Sequence, residues 1–217
     1  MKRVTFTFDN GPTPGVTEAV LEILEREGVL STFFVIGRKL EDERSVALMH
    51  AAHAAGHWIG NHTLTHSVAL GDRPDAAYAA HEIGEAQARI GPVSHQKKLF
   101  RPYGNDGLIG PHLLSRAATE LLLREGYCTV IWNSVPGDWK DPEGWLETGL
   151  AQVEQQDWTV MVLHDIENGC LPRLPELLRR LKDTGVVFEQ NFPDSVILTR
   201  DGRAVSLDPA YVADMGH

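Results

Sequence analysis

Val4-Thr5-Phe6-Thr7-Phe8-Asp9-Asn10-Gly11-Pro12 opens the chain with an apolar, β-rich run that stops at a carboxylate and a turn. The next segment, residues 16–27, changes period. There Val20, Ile23 and Leu24 fall at i, i+3 and i+4, the stripe by which a helix packs on a sheet. The same unit then recurs. Strand-like runs fall at residues 32–36, 58–60, 99–101, 129–132, 159–163 and 186–188, with helical patterns at 43–55, 76–90, 111–125, 144–155 and 172–183. Gly28, Gly56, Gly91, Gly126 and Gly185 stand near the ends of helical patterns, as left-handed stops do. Such alternation implies an α/β fold with a mainly parallel sheet. Polar residues gather at the C-terminal ends of five or more strands, which a barrel face brings together and an open sheet spreads along a line. The expectation is a distorted or incomplete (β/α) barrel of about seven parallel strands.

A length of 217 residues fits a single domain, 1–217, and no linker, low-complexity segment or repeat divides it. With 42% hydrophobic and 23% charged residues the composition is that of a globular protein. The formal net charge is -10 and no basic cluster exceeds Lys97-Lys98 or Arg179-Arg180, which argues against a nucleic acid or an anionic membrane as partner. No window of about 18 apolar residues spans a membrane. The first strand follows Met1-Lys2-Arg3 directly, which leaves no room for a signal peptide and makes a cytoplasmic location the expectation. Cys128 and Cys170 lack metal-type spacing and read as reduced core thiols. Nothing in the sequence fixes the oligomeric state.

Asn61-His62-Thr63-Leu64-Thr65-His66 carries two histidines four apart. On a helix they would share one face, within reach of one metal ion, and neutral imidazoles suit zinc, cobalt or nickel. A polar turn with two surface histidines is the competing reading; Asn61 and the threonines add groups able to orient the rings. Asp9 could be a general base or simply part of Asp-Asn-Gly-Pro turn chemistry. Arg101 could clamp a carboxylate or form a structural salt bridge, and the Tyr103 amide could face a developing oxyanion. Asp138-Trp139 and His164-Asp165 follow later strands. Together these residues offer a Lewis acid, a base and an acid.

The set resembles the polysaccharide deacetylase family, the family 4 carbohydrate esterases. Thr7-Phe8-Asp9-Asn10-Gly11-Pro12 is similar to that family's Thr-Phe-Asp-Asp-Gly-Pro, and His62-Thr63-Leu64-Thr65-His66 to its His-Ser/Thr-x-x-His motif, preceded by Gly56 to Asn61. Arg101-Pro102-Tyr103 resembles Arg-x-Pro-Tyr, Asp138-Trp139 the end of Asp-x-x-Asp-Trp, and Leu163-His164-Asp165 the Leu-His-Asp motif. The likeness runs from residue 4 to about residue 190. It implies a metal-dependent hydrolase of C–N amide bonds, acting on an acetylated small molecule or oligosaccharide. By the resemblance, Asp9 is the base that takes a proton from metal-bound water, and Arg101 fixes Asp9. His62, His66 and the position of Asn10 hold the metal, zinc first. The Tyr103 amide stabilises the oxyanion, and His164 protonates the departing amine. Asp138 joins the catalytic set, while Pro102, Tyr103, Trp132 and Trp139 are candidates for substrate contact.

Three departures qualify what the resemblance implies. Asn10 stands where the family has a metal-binding aspartate, so the site loses an anion; a weakened metal site, recruitment of Asp9 as ligand and loss of the metal are all open. Val135 replaces the first acid of Asp-x-x-Asp-Trp, and the Arg101 segment is one residue short. These departures and the expected cytoplasmic location favour a soluble N-acetylated substrate over a cell-wall polymer. Alternatives are hydrolysis of a non-sugar amide or cyclic imide, and a weakly active or inactive sugar-binding member. Trp132, Trp139 and Trp145 could stack on a sugar, with core packing as the other reading. The tail, residues 194–217, is expected either to complete the barrel wall or to meet a partner.

Overall fold

β1 (Arg3–Asp9) is hydrogen-bonded to three other strands and organises that part of the sheet. The computed structural model describes residues 1–213, in which the chain continues as α1 (Thr17–Glu27), β2 (Thr32–Val35), α2 (Glu43–Ala54) and β3 (Trp58–Asn61). Next come α3 (Ala76–Ala80), α4 (Ala86–Ile90), β4 (Leu99–Phe100), β5 (Leu114–Ser115), α5 (Arg116–Arg124), β6 (Cys128–Val130) and α6 (Trp145–Glu154). The order ends with β7 (Trp158–His164), α7 (Leu174–Asp183), β8 (Val187–Glu189), β9 (Ile197–Arg200), β10 (Arg203–Ala204) and β11 (Val212–Ala213).

Along its whole length β1 pairs with β7, in a register that sets Asp9 beside His164. On its other side it pairs with β8 through Arg3 to Thr5 and with β2 through Thr7 to Asp9. From β2 the row continues through β3, β4 and β6, every pair parallel. A parallel bridge between Ser134, just past β6, and Met161 of β7 returns the far end of the row to its start. The sheet therefore curls into a distorted, incomplete barrel whose parallel strands are β1, β2, β3, β4, β6, β7 and β8, as expected. β9 runs antiparallel beside β6 with an irregularity at Thr129/Val130, and β10 pairs with β9. The tail thus extends the wall; its last residues, 214–217, lie outside the described residues.

Period-two alternation explains why β1 serves both core and site. Val4, Phe6 and Phe8 are fully buried in one core cluster, with Leu24 of α1, Trp145 of α6 and Leu177 of α7. Each such side chain contributes roughly 1.5–3 kcal/mol through burial. Trp145 therefore belongs to the core and not to the rim. Thr5, Thr7 and Asp9 point the other way; Thr7 and Asp9 both receive Arg101 Nη1, at 2.6 and 2.9 Å. A second cluster joins Phe34, Ile83, Phe100, Leu122, Val130 and Val162. Cys128 and Cys170 are buried free thiols, as read from their contexts.

Two helical expectations need correction. The pattern at 111–125 yields a helix only from Arg116, because Leu114–Ser115 pairs with β11 and the Ser115 side chain caps α5 by accepting from the Ala118 amide at 3.1 Å. The run from α3 to α4 is helical throughout but contains a π-helical turn at His81–Glu85. Among the described residues no helix is long and apolar enough to cross a membrane.

Candidate active site

The C-terminal ends of β1, β3, β4, β6 and β7 surround a pocket of about 210 Å³ lined by Asp9, Asn10, His62, His66, Tyr103, Trp132, Trp139 and His164, among others. Arg101 and Asp138 stand behind that wall, each holding one member of it. Pro102 is buried and does not face the pocket.

Asp9 is 3% exposed and Arg101 is fully buried. Arg101 Nη1 donates to Asp9 Oδ1, while Nε and Nη2 donate to the carbonyls of Val130 and Ile131 at 3.3 and 3.4 Å. The guanidinium lies over the Phe34 ring, 4.1 Å from its centroid. Burial lowers the Arg101 pKa and Asp9 opposes that shift. Asp9 Oδ2 remains, 3.5 Å from His62 Nε2.

The histidine pair is not helical. Thr63 and His66 have φ of 66° and 52°, and Asn10 has φ of 72°. A left-handed conformation is costly for a β-branched threonine, on the order of 1–3 kcal/mol. Hydrogen bonds fix the turn: the Thr63 amide donates to Asn61 Oδ1 (2.9 Å), the His66 amide to Thr63 Oγ1 (3.2 Å) and Asn61 Nδ2 to the Ile83 carbonyl (2.9 Å). Glu82, buried in the π-helical turn, accepts from both the amide and the hydroxyl of Thr65 at 2.9 and 2.8 Å. The result brings the two imidazole centroids to 4.7 Å, with Tyr103 4.1 Å beyond His66.

His62 Nδ1 lies 2.9 Å from the Arg101 carbonyl, which can only accept. Nδ1 therefore carries the proton and the Nε2 lone pair faces the pocket. Burial pushes both imidazoles down to a pKa of about 3, His62 also feeling Arg101 and His66 feeling His62. Both rings are neutral at ordinary pH, the form that ligates metals.

Among the described residues no group of three or more His, Cys, Asp or Glu is arranged to hold a metal ion. The donor set nonetheless fits one through Asn10. Its Oδ1 is a buried acceptor without a hydrogen-bond partner, on the same pocket wall as both histidines. A lone pair facing a carboxylate oxygen at 3.5 Å is repulsive, and a cation nearby would offset that repulsion. Two imidazoles with an amide oxygen suit zinc or cobalt.

Across the pocket, Asp138 Oδ1 pairs with His164 Nδ1 at 2.8 Å and Asp138 Oδ2 accepts from the His164 amide at 2.8 Å. Trp139 meets the imidazole edge-on, centroids 4.5 Å apart. Burial acts to lower the His164 pKa, but the hydrogen bond and charge of Asp138, with Asp9 and Asp165, outweigh it and hold it above the ordinary value.

Sequence reasoning assigned no role to Asp165, Thr17 or Glu82. Asp165 Oδ2 accepts from Thr17 Oγ1 at 2.6 Å, and Thr17 in turn accepts from the Thr13 amide at 2.8 Å. Asp165 presses on Gly11, where a Cβ would fall 2.0 Å from Oδ2. Burial pushes its carboxyl up to about 7. This strap ties the loop bearing Asn10 to the strand bearing His164. The signal available was Asp165 itself, a carboxylate directly after a histidine in an apolar strand.

Fold and pocket define a barrel-type α/β protein with paired acid and base groups at its strand ends. The sequence model of the polysaccharide deacetylase family matches residues 1–108. The chain is 31% identical over 172 residues to the chitooligosaccharide deacetylase of Sinorhizobium fredii, covering 78% of this chain and 73% of that one. It belongs to the polysaccharide deacetylase family. A family 4 carbohydrate esterase from Streptomyces lividans, solved with acetate, superposes with a TM-score of 0.72 at 26% identity, covering 95% of this chain and 98% of that one. A family 4 acetyl xylan esterase from Clostridium thermocellum, solved with a cobalt ion, gives 0.68 at 26% identity over 87% and 88%.

Proposed function

We propose that this protein is a metal-dependent hydrolase that removes an N-acetyl group from a soluble carbohydrate. The observation that carries the reading is the register of β1 and β7, which sets Asp9 beside His164 on the pocket wall while each has its own buried partner. The relatives named above support the substrate class.

A divalent ion, zinc by preference, held by His62, His66 and the Asn10 amide oxygen would supply Lewis-acid polarisation of the acyl carbonyl and of water. Asp9 is the base. Arg101 occupies Oδ1 and leaves Oδ2 to take the proton of the attacking water. His164 is the acid: Asp138 holds the Nδ1 proton, so Nε2 delivers the other to the departing nitrogen, which cannot leave as an anion. The Tyr103 amide would serve as the oxyanion's donor; what supports it is the Tyr103 ring beside His66 on the pocket wall. Trp139 fixes the imidazole edge-on and offers its ring to a sugar, whereas Trp132, 5% exposed and donating Nε1 to the Gly107 carbonyl, is packed into the wall.

The test is acetate release from N-acetylated chitooligosaccharides by the metal-loaded protein. Turnover is expected, with Asp9→Asn and His164→Ala each reducing it by about 10²–10⁴-fold. Undiminished release in either variant contradicts the assignment.

A further inference from the structure

The turn that carries His62 and His66 is held by several neighbouring segments. The amides of Gly37 and Arg38 donate to the carbonyls of Thr63 and Leu64 at 2.9 and 2.8 Å. Asn61 Nδ2 donates to the Ile83 carbonyl, and the His62 ring to the Arg101 carbonyl, both at 2.9 Å. All of these bonding groups are neutral. Glu82 differs. Its carboxylate takes the Thr65 amide on Oε2 and the Thr65 hydroxyl on Oε1, at 2.9 and 2.8 Å. Because the Thr65 proton goes to Glu82, the Ser67 hydroxyl, 2.7 Å away, donates to Thr65 Oγ1.

Glu82 is 2% exposed and forms no ion pair among the described residues; Arg89 pairs with Glu41 at 2.7 Å and the buried Arg101 with Asp9 at 2.9 Å. A buried carboxylate without a positive charge nearby is costly and rarely kept. His62 and His66 line the pocket and Glu82 and Thr65 do not, so the carboxylate stands behind the turn. In front, two neutral imidazoles and the Asn10 amide oxygen bring no anion. Asp9, on the same wall, already has its charge matched by Arg101. The unmatched negative charge beside the histidine turn is therefore that of Glu82.

We propose that Glu82 is a positioning residue of the metal site, whose charge, held behind Thr65, supplies the anion that Asn10 does not. The inference rests on the metal-dependent reading above. It also gives the π-helical turn at His81–Glu85 a use, because that turn sets two consecutive residues against the two ends of the histidine turn. The Glu82 carboxylate meets Thr65 and the Ile83 carbonyl meets Asn61.

Glu82→Gln removes the charge and can keep the contacts. Its Oε1 can accept from the Thr65 amide, and its Nε2 can donate to Thr65 Oγ1 while that hydroxyl turns to Ser67. Zinc is titrated by calorimetry into chelator-stripped protein, and the zinc-free proteins are unfolded with denaturant. Glu82→Gln is expected to bind zinc about tenfold more weakly, the lower end of what outer groups of a metal site contribute. Its zinc-free form is expected to be at least as stable as the wild type, since an unmatched buried charge is gone. Thr65→Val removes one hydrogen bond and keeps the charge, so its affinity should fall far less. Adding Asn10→Asp to Glu82→Gln should return the affinity to the wild-type level or above. Unchanged affinity in Glu82→Gln, or a zinc-free form less stable than the wild type, overturns the proposal, because Glu82 then serves the fold alone. An equal loss in Thr65→Val, or no recovery with Asn10→Asp, overturns the role of the charge. A wild type that binds no zinc contradicts the metal reading itself and this inference with it, whereas zinc bound equally by wild type and Glu82→Gln contradicts this inference only.

Discussion

The two sides of the pocket use one component, a buried carboxylate beside a nitrogenous partner, to opposite ends. Asp9 meets Arg101 at 2.9 Å and Asp138 meets His164 at 2.8 Å. The difference lies in what each carboxylate has left over. Asp138 spends both oxygens on His164, one on the ring and one on the amide, and can only hold the imidazole in place. Asp9 gives one oxygen to a permanently charged guanidinium and keeps the other at the pocket, 3.5 Å from a histidine lone pair. A carboxylate with a spare oxygen can accept a proton from substrate water. One without a spare oxygen tunes its neighbour instead.

That contrast is open to breakage. Asp9→Asn keeps the shape and removes the proposed base; kcat should fall by about 10²–10⁴-fold at every pH. Asp138→Asn should behave differently, because its effect is exerted through His164. Asp138 and its neighbours hold that imidazole above its ordinary pKa, so the proposed acid stays protonated as pH rises and activity should be lost only on passing the raised value. Removing the anion lowers the pKa, and the alkaline limb of the kcat profile should move to lower pH while activity on the acid side falls less. Identical profiles for the two variants would erase the distinction.

Stability provides the next separation. Asp9→Ala strands a fully buried guanidinium, and loss of one partner from a buried pair costs roughly 3–5 kcal/mol. Asp138→Ala leaves an imidazole that can shed its proton, so denaturant unfolding should show the smaller loss. Smaller again is Gly11→Ala, where a methyl must displace the Asp165 carboxylate; overpacking of this kind costs about 1–3 kcal/mol. Its informative readout is whether kcat falls while KM holds, as expected if the strap to Thr17 positions Asp9 and Asn10 against His164.

How much of this was legible in the sequence follows from the range of the interactions. Local period reports β1 and α1, because burial of Val4, Phe6 and Phe8 on one side and Leu24 on the other is written at spacings of two and three to four. The parallel row and its curvature followed from alternation, and the residues at strand ends were found because barrels collect them. The histidine turn was legible only as the competing reading, and there with its histidines on the surface. Spacing of four suggests a helix, but Thr63 and His66 adopt left-handed backbone held by Asn61 and Glu82, and no glycine marks it. Glu82 acts through a π-helical turn whose sequence reads as ordinary helix. The closeness of Gly107 to Val135 was equally hidden, since two loops from neighbouring strands meet only once the sheet has curled. Val135 was visible as a departure, but its seat against Gly107 was not.

The central claim is that Asn10, His62 and His66 hold one divalent ion beside Asp9, and zinc titration of chelator-stripped protein by calorimetry tests it without any assumption about substrate. One ion per chain is expected, with binding lost in His62→Ala and His66→Ala. Binding should tighten on the order of 100-fold in Asn10→Asp, because that variant restores an anion at a few ångström. Binding that is absent, or that survives both histidine variants, would contradict the account.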